Sequence, residues 1–287
     1  MFNTRLSASA FLLVGMILEV LQPATLNAAS QTKISEVTFT AVDYGFSGPD
    51  RIPAGMTRVR IVNKGQDLHH ILLIKLEEGK TAEDFSDAMK ADPSQAETGT
   101  PPAWFKYVGG PNAIIPGESG AATINLKEGN YVLTCIIPDK KGILHVALGM
   151  LKPLTVTTAT GSLAPEPKAA LTIDTMDFAF MPSKAITAGT HTIRANNKGT
   201  QSHEVVVVKL APGASAKDFG AAFEPGASGP PPGKPIGGLS PMEKGGYGFF
   251  TSEFKPGNYA LICFILDPAS GKPHFTLGMT LDFTVKQ

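Results

Sequence analysis

The sequence predicts an all-β protein built as two tandem β-sandwich domains, each interrupted by one short helix in a long loop. Three observations predict it: apolar segments rich in Val, Ile, Thr and Phe, 30 glycines and 23 prolines between them, and a first half whose pattern is written again in the second. β-Branched and aromatic residues suit a pleated, half-buried surface, and frequent Gly and Pro turn the chain early. At 287 residues the chain is long enough for two domains with a core each.

The repeat sets the elements in order. Ile52-Pro-Ala-Gly-Met-Thr-Arg-Val-Arg-Ile-Val-Asn-Lys-Gly65 returns as Ile186-Thr-Ala-Gly-Thr-His-Thr-Ile-Arg-Ala-Asn-Asn-Lys-Gly199. The same offset carries His69 onto His203, His70 onto Glu204, and Thr81-Ala-Glu-Asp-Phe85 onto Ser215-Ala-Lys-Asp-Phe219. A slightly shorter offset carries Lys127-Glu-Gly-Asn-Tyr-Val-Leu-Thr-Cys135 onto Lys255-Pro-Gly-Asn-Tyr-Ala-Leu-Ile-Cys263. Self-similarity of this length marks a duplicated unit.

Within each copy, residues 38–46 and 172–180 alternate as first strands, and 57–62 and 190–196 follow a Gly turn as second strands. Continuous apolar runs, 71–76 and 205–210, read as strands buried on both faces. Thr81 with Asp84, and Ser215 with Asp218, have cap spacing ahead of the apolar pairs Phe85/Met89 and Phe219/Phe223, which predicts the helix. Gly-Asn turns then lead into the Tyr and Cys strands, and 154–157 and 281–285 close each sheet. Residues 159–168 have linker composition, so the domains are expected at 31–158 and 169–287. Residues 224–248, a Pro- and Gly-rich insertion matched by 92–110 around Trp104, read as surface loop and docking feature.

The first residues read as an address. Arg5 precedes an apolar run from Ala10 to Leu21, broken by Glu19, and small residues follow up to Ala29. Residues 1–29 are thus expected to be a Sec-type signal peptide, too short to span a bilayer, sending the chain to a periplasm or the outside. With no Cys near the cleavage region and no paired Arg before the run, neither a lipid anchor nor a twin-arginine route is indicated. Basic and acidic residues balance at 25 each, which argues against a nucleic-acid partner.

Chemistry concentrates where the repeat is tightest. His69, Cys135, His145 and Met150 recur in the same order as His203, Cys263, His274 and Met279. A thiolate, two imidazoles and a thioether are the donor set of a soft, redox-active metal such as copper. Taken singly, each residue has a plainer reading: a core histidine, a gap-filling Met, a small buried Cys, or two cysteines bridged in an exported protein. A bridge needs Cα atoms within about 7 Å, whereas each Cys ends its own strand in its own copy. His70 and His191 have no His partner in the repeat and are not required as ligands.

These motifs, Asn-x-Gly before the first His, Gly-Asn-Tyr-x-x-x-Cys, and His-x-x-x-Gly-Met, resemble those of the cupredoxins, or blue copper proteins. The resemblance covers both copies. It implies a Greek-key β-sandwich in each, with two His and the Cys as close ligands, the Met as a weak axial one, up to two coppers per chain, one-electron transfer, and a redox partner protein. One departure stands out: nine residues separate Cys135 from His145 and ten separate Cys263 from His274, where small blue copper proteins have only a few. Loop closure costs only about 1 kcal/mol more for a tripled length, and Pro138, Asp139, Asp267, Pro268 and Pro273 are placed to stiffen the loops. Two other functions compete, a copper-handling protein for storage or delivery and a metal-free cupredoxin-like module for surface assembly. An oxidase or nitrite reductase built on paired cupredoxin domains would need further histidines, often as His-x-His, and the chain has none in that arrangement.

Overall fold

Burial alternates along strands such as residues 57–63 and 171–176 and is continuous along others, and this computed structural model describes residues 1–3, 33–159, 162–224 and 226–286. The expected signal peptide lies outside the described residues except for its first three. In the first half the strands are β1 (Ser35–Val42), β2 (Gly45–Ser47), β3 (Arg51–Pro53), β4 (Gly55–Asn63), β5 (Leu72–Leu76), β6 (Phe105–Gly109), β7 (Ser119–Leu126), β8 (Gly129–Thr134) and β9 (Leu151–Thr157). In the second they are β10 (Leu171–Met176), β11 (Ala179–Pro182), β12 (Gly189–Asn197), β13 (His203–Leu210), β14 (Gly233–Met242), β15 (Tyr247–Phe254), β16 (Gly257–Ile262) and β17 (Thr280–Val285).

The expected first strands each break into two, β1/β2 and β10/β11, because a tight turn at Asp43-Tyr44 and Asp177-Phe178 folds the chain back antiparallel. The continuous apolar runs behave as predicted: β5 and β13 are buried on both faces apart from Lys75 and Lys209. Helices α1 (Ala82–Ala91) and α2 (Ala216–Ala221) start where the cap spacing placed them. Thr81 and Ser215 each accept from the amide three residues on, and Asp84 and Asp218 return the bond to the cap backbone.

Two sheets result, one ordered β11-β10-β12-β15-β7-β4-β1-β2 and the other β17-β16-β13-β14-β6-β5-β8-β9-β3. Both run without a break from one half into the other, through β15 on β7 and β14 on β6, and from Thr32 to Gln287 the chain is one compact unit. At the seam Ala122 pairs with Phe250, and Pro111 bridges Leu239. In each pair the partners are repeat equivalents, at the offset that carries Lys127 onto Lys255. The seam therefore has local twofold symmetry, and the bridges Val108 to Met242 and Ile114 to Ile236 are its reciprocal contacts. Side chains of both sheets, among them Phe39, Ile61, Leu73, Leu133 and their counterparts Ile173, Ala195, Val207 and Leu261, form the main core cluster.

The insertion at 224–248 is not the surface loop its composition suggested. It carries β14, buried from Gly237 to Met242. Proline lacks the N–H a regular ladder needs, and the β13–β14 pairing accommodates Pro235 by shifting register between Val206 and Val208. Trp104, its counterpart's marker, packs edge-on against Phe105 and Phe85.

Candidate metal centre

The Asn-x-Gly motif builds the seat of the first histidine. Asn63 closes the turn after β4: its Oδ1 accepts from Gly65 N at 2.9 Å, and its Nδ2 donates to Asp67 O at 2.9 Å and Ile114 O at 3.1 Å. Asn197 repeats all three bonds, with Gly199, Gln201 and Met242. His69 and His203 leave these turns fully buried. There is no room for a side chain beside them, since a Cβ on Gly65 would lie 2.6 Å from His69 Nε2, and one on Gly199 2.5 Å from His203 Nε2.

A carboxylate fixes each ring. His69 Nε2 lies 2.7 Å from Asp43 Oδ1, and His203 Nε2 2.8 Å from Asp177 Oδ1. Partial burial pushes the Asp43 carboxyl up, but bonds from the Gln66 amide, His69 and the Asp67 amide outweigh it and hold the group below its ordinary value. The same contest, with Thr200, His203 and Gln201 as partners, ends far lower for Asp177. An ionised carboxylate only accepts, so each ring carries its proton on Nε2 and turns a lone pair at Nδ1 inward.

Strands β8 and β16 deliver Cys135 and Cys263, both buried free thiols, to the same end of the sheet. The long loops bring the other histidines back. Cys135 Sγ lies 3.5 Å from His145 Nδ1, and Cys263 Sγ 3.5 Å from His274 Nδ1. Backbone bonds anchor those loops at both ends: His145 N donates to Ile137 O at 3.0 Å and His274 N to Ile265 O at 2.8 Å. The ligand atoms of His69, Cys135 and His145 lie within 4.8 Å of one another, as do those of His203, Cys263 and His274.

In the second set the lone pairs can be assigned completely. Gln201 Nε2 donates to Asp267 Oδ1 at 2.8 Å, which turns its Oε1 toward His274 Nε2 at 3.0 Å. His274 Nε2 must then carry the proton, so the Nδ1 atoms of His203 and His274 face each other at 3.1 Å with lone pairs on both. Burial holds His203 below the ordinary histidine value, and holds His145 and His274 down to about 4, so protonating an Nδ1 is not an easy escape. The thiol has one proton to offer two imidazoles. In the first set the surplus is explicit: His69 Nδ1 is buried without a partner. A cation would satisfy all three donors at once. Each thiol must lose its proton to join, and burial pushes Cys135 up to about 12 and Cys263 higher still, so binding is coupled to proton release.

Met150 and Met279 are fully buried. Each is tied to both neighbours in its set: Met150 N donates to His145 O at 2.9 Å and Cys135 N to Met150 O at 3.4 Å, and Met279 does the same with His274 and Cys263. The two histidines outside the sets are engaged elsewhere, His70 with the amide of Ile136 and His191 with Thr187. Asp43 and Asp177 were missed in the sequence, although Asp43-Tyr-x-Phe46 and Asp177-Phe-x-Phe180 obey the same offset as the first histidines. Gln201 had no such signal, because its counterpart is Asp67.

No protein-family model matches the chain, and no curated protein matches it. Solved structures do. They include dithionite-reduced auracyanin from the photosynthetic bacterium Roseiflexus castenholzii, 19% identical, covering 43% of this chain and 97% of that one with a TM-score of 0.31. Auracyanin A, a "blue" copper protein from Chloroflexus aurantiacus, is 18% identical over 43% of this chain and 100% of its own, with a TM-score of 0.30. A multicopper oxidase is 14% identical over 88% of each chain, with a TM-score of 0.25. Likenesses this faint carry no chemistry across. The class is defined by what precedes: an all-β fold of two sheets that holds two buried His-Cys-His clusters, one in each half.

Proposed function

We propose that the chain is an exported copper-binding protein that carries single electrons, one copper in each set: His69, Cys135, His145 and Met150, and His203, Cys263, His274 and Met279. The observation that carries this reading is the convergence of two imidazole lone pairs on one buried thiol, with His69 Nδ1 left without any partner. Thiolate, imidazole and thioether together favour copper over the harder divalent ions. Copper bound there would supply a one-electron Cu(II)/Cu(I) couple.

The protein's own part is to hold the donors still and dry. Asp43 and Asp177 orient the first histidines, the second histidines are set by the loop ends, and the Met backbones lock the Cys strand to the His loop. Fixed donors do not rearrange between oxidation states, which suits electron carriage. The two halves are read as copies of one domain, residues 31–158 and 169–287, and the partner as a protein donor or acceptor of single electrons. Residues 1–29 direct export to a periplasm or the outside. An oxidase or reductase would need further histidines, often as His-x-His, and outside the two sets the chain has only His70 and His191.

Titration of the purified mature protein with Cu(II) and Cu(I) tests the reading. Two equivalents should bind and an intense thiolate-to-copper absorption should grow with Cu(II). Cys135→Ser and Cys263→Ser should each remove one equivalent. Retention of both equivalents in either variant, or no binding in the wild type, overturns the assignment.

A further inference from the structure

The two ligand sets are fenced differently, and the fence around the second comes from the first half. Past the turn at Pro93–Ala96, residues 97–100 cross the seam and tie into the second half at two points. Leu266 N donates to Glu97 O at 2.8 Å and Gly99 N donates to Leu266 O at 2.8 Å, while Ser202 N donates to Gly99 O at 2.6 Å. Leu266 lies inside the loop between Cys263 and His274, and Ser202 immediately precedes His203. Gly99 is packed so closely on Gln201 that a Cβ there would lie 3.1 Å from Gln201 Cβ. Gln201 in turn fixes His274 and Asp267. One short strap thus grips both segments that carry the second pair of histidines.

The first set supplies the internal comparison. Pro138 stands where Leu266 stands, three residues after the cysteine, and has no N–H to give. Asp67 stands where Gln201 stands, and His145 Nε2 is buried without a partner. Apart from the bond of Ile136 N to His70, which Phe264 and Glu204 match in the second half, the loop ahead of His145 is closed by its own turn, with Asp139 N on Ile143 O at 2.8 Å and Asp139 Oδ1 accepting from Lys141 and Ile143. Ile143 is 42% exposed. Segments with few outside bonds open locally at lower cost than segments clamped from a second element.

We propose that residues 97–100 act as a clamp that makes the second set the retained copper site and leaves the first as the exchangeable one, through which metal enters and leaves. The inference rests on the copper reading above. Protein loaded with two coppers is challenged with excess chelator and release is followed. Two phases should appear, separated by about tenfold or more, the slow one missing from Cys263→Ser and the fast one from Cys135→Ser. Gln201→Asp, which installs the first half's residue, should speed the slow phase alone. A single phase, a slow phase that belongs to Cys135, or a slow phase indifferent to Gln201→Asp overturns the clamp. Hydrogen exchange on the metal-free wild type decides it separately. The amide of Gly271, bonded to Asp267 O at 2.8 Å, should be protected about tenfold or more over that of Gly142, bonded to Asp139 O at 2.9 Å, each three residues before its histidine. Equal protection sinks the clamp whether or not copper binds, whereas unequal protection without copper binding sinks the copper reading alone.

Discussion

His70 and Glu204 occupy equivalent places in the repeat and meet the same side chain, Asn112, at the seam between the halves. Each caps the amide that follows the cysteine of its set: Ile136 N donates to His70 Nε2 at 3.0 Å, and Phe264 N donates to Glu204 Oε1 at 3.0 Å. Asn112 Nδ2 donates to Glu204 Oε2 at 2.8 Å, and the Asn112 side chain lies beside the His70 ring. Because His70 Nε2 is an acceptor, the ring is neutral with its proton on Nδ1, and burial takes it down to about 3. Burial pushes Glu204 up to about 7 against the bonds from Asn112 and Phe264. A duplicated position has diverged into an imidazole and a carboxyl that one amide can join.

Removing that carboxyl's charge should change the pH profile of stability in a defined direction. The folded value of Glu204 lies above its ordinary 4.5, so its contribution is fully present below about pH 4.5 and is lost as pH rises through about 7. The stability of metal-free wild type relative to Glu204→Gln should therefore fall across that window, by an amount on the order of a few kcal/mol. Urea unfolding of both proteins at pH 4.5 and 7.5 measures it. A pH-independent difference would show that the carboxyl is not carrying a buried charge.

The packing of Gly65 on the His69–Asp43 pair makes a second expectation. In Gly65→Ala the new Cβ, 2.6 Å from His69 Nε2, must part the ring from its carboxylate, because Asn63 holds the turn from both sides. Loss of a carboxylate partner typically costs about 10–100-fold in metal affinity. Copper affinity at the first set should drop by that factor while the second set keeps its own, and Gly199→Ala should give the mirror result. Competition titrations in the two variants read this directly, and affinities equal to wild type would mean that the carboxylates do not orient the ligands.

The parts of this arrangement visible in the sequence are those the duplication wrote twice. His69, Cys135, His145, Met150 and their counterparts stand out because two copies agree, and the capped helices and double-sided strands follow from local spacing alone. What escaped detection is where the copies differ or meet. Asn112 pairs with residues nearly a hundred positions away and is matched by Ser240, and β14 hides in a run of Pro and Gly whose strand character comes from its ladder with β13, with only a few bridges to the first half. Composition reports what a segment prefers in isolation, while an edge that finds a neighbouring sheet is decided by that neighbour. The long Cys-to-His loops were legible as a departure, but their unequal tethering depends on Glu97 and Gly99, which no spacing rule links to them.

Acid should undo the ligand sets before the rest of the fold. Burial holds His145 and His274 at about 4 and His70 at about 3, and holds His203 below its usual value. Unfolded histidines titrate near 6.5, so between about 4 and 6.5 the unfolded chain binds more protons and the metal-free fold gains stability as pH rises. Glu204 and Glu97, both pushed up to about 7 by burial, work the other way over part of this range. Four imidazoles outnumber two carboxyls, so the net slope from pH 4 to 6.5 should be positive. Copper should steepen it, since binding requires neutral imidazoles and an ionised thiol. The copper-induced rise in Tm is then expected to grow from pH 5 to pH 8, reaching about 2.7 kcal/mol of added stability per site at a free copper concentration a hundred times Kd. Calorimetric scans with and without copper, on wild type and on the Cys135→Ser, Cys263→Ser double variant, give the result. An increment that does not change with pH, or that survives in the double variant, would place the bound metal somewhere other than on these imidazoles and thiols.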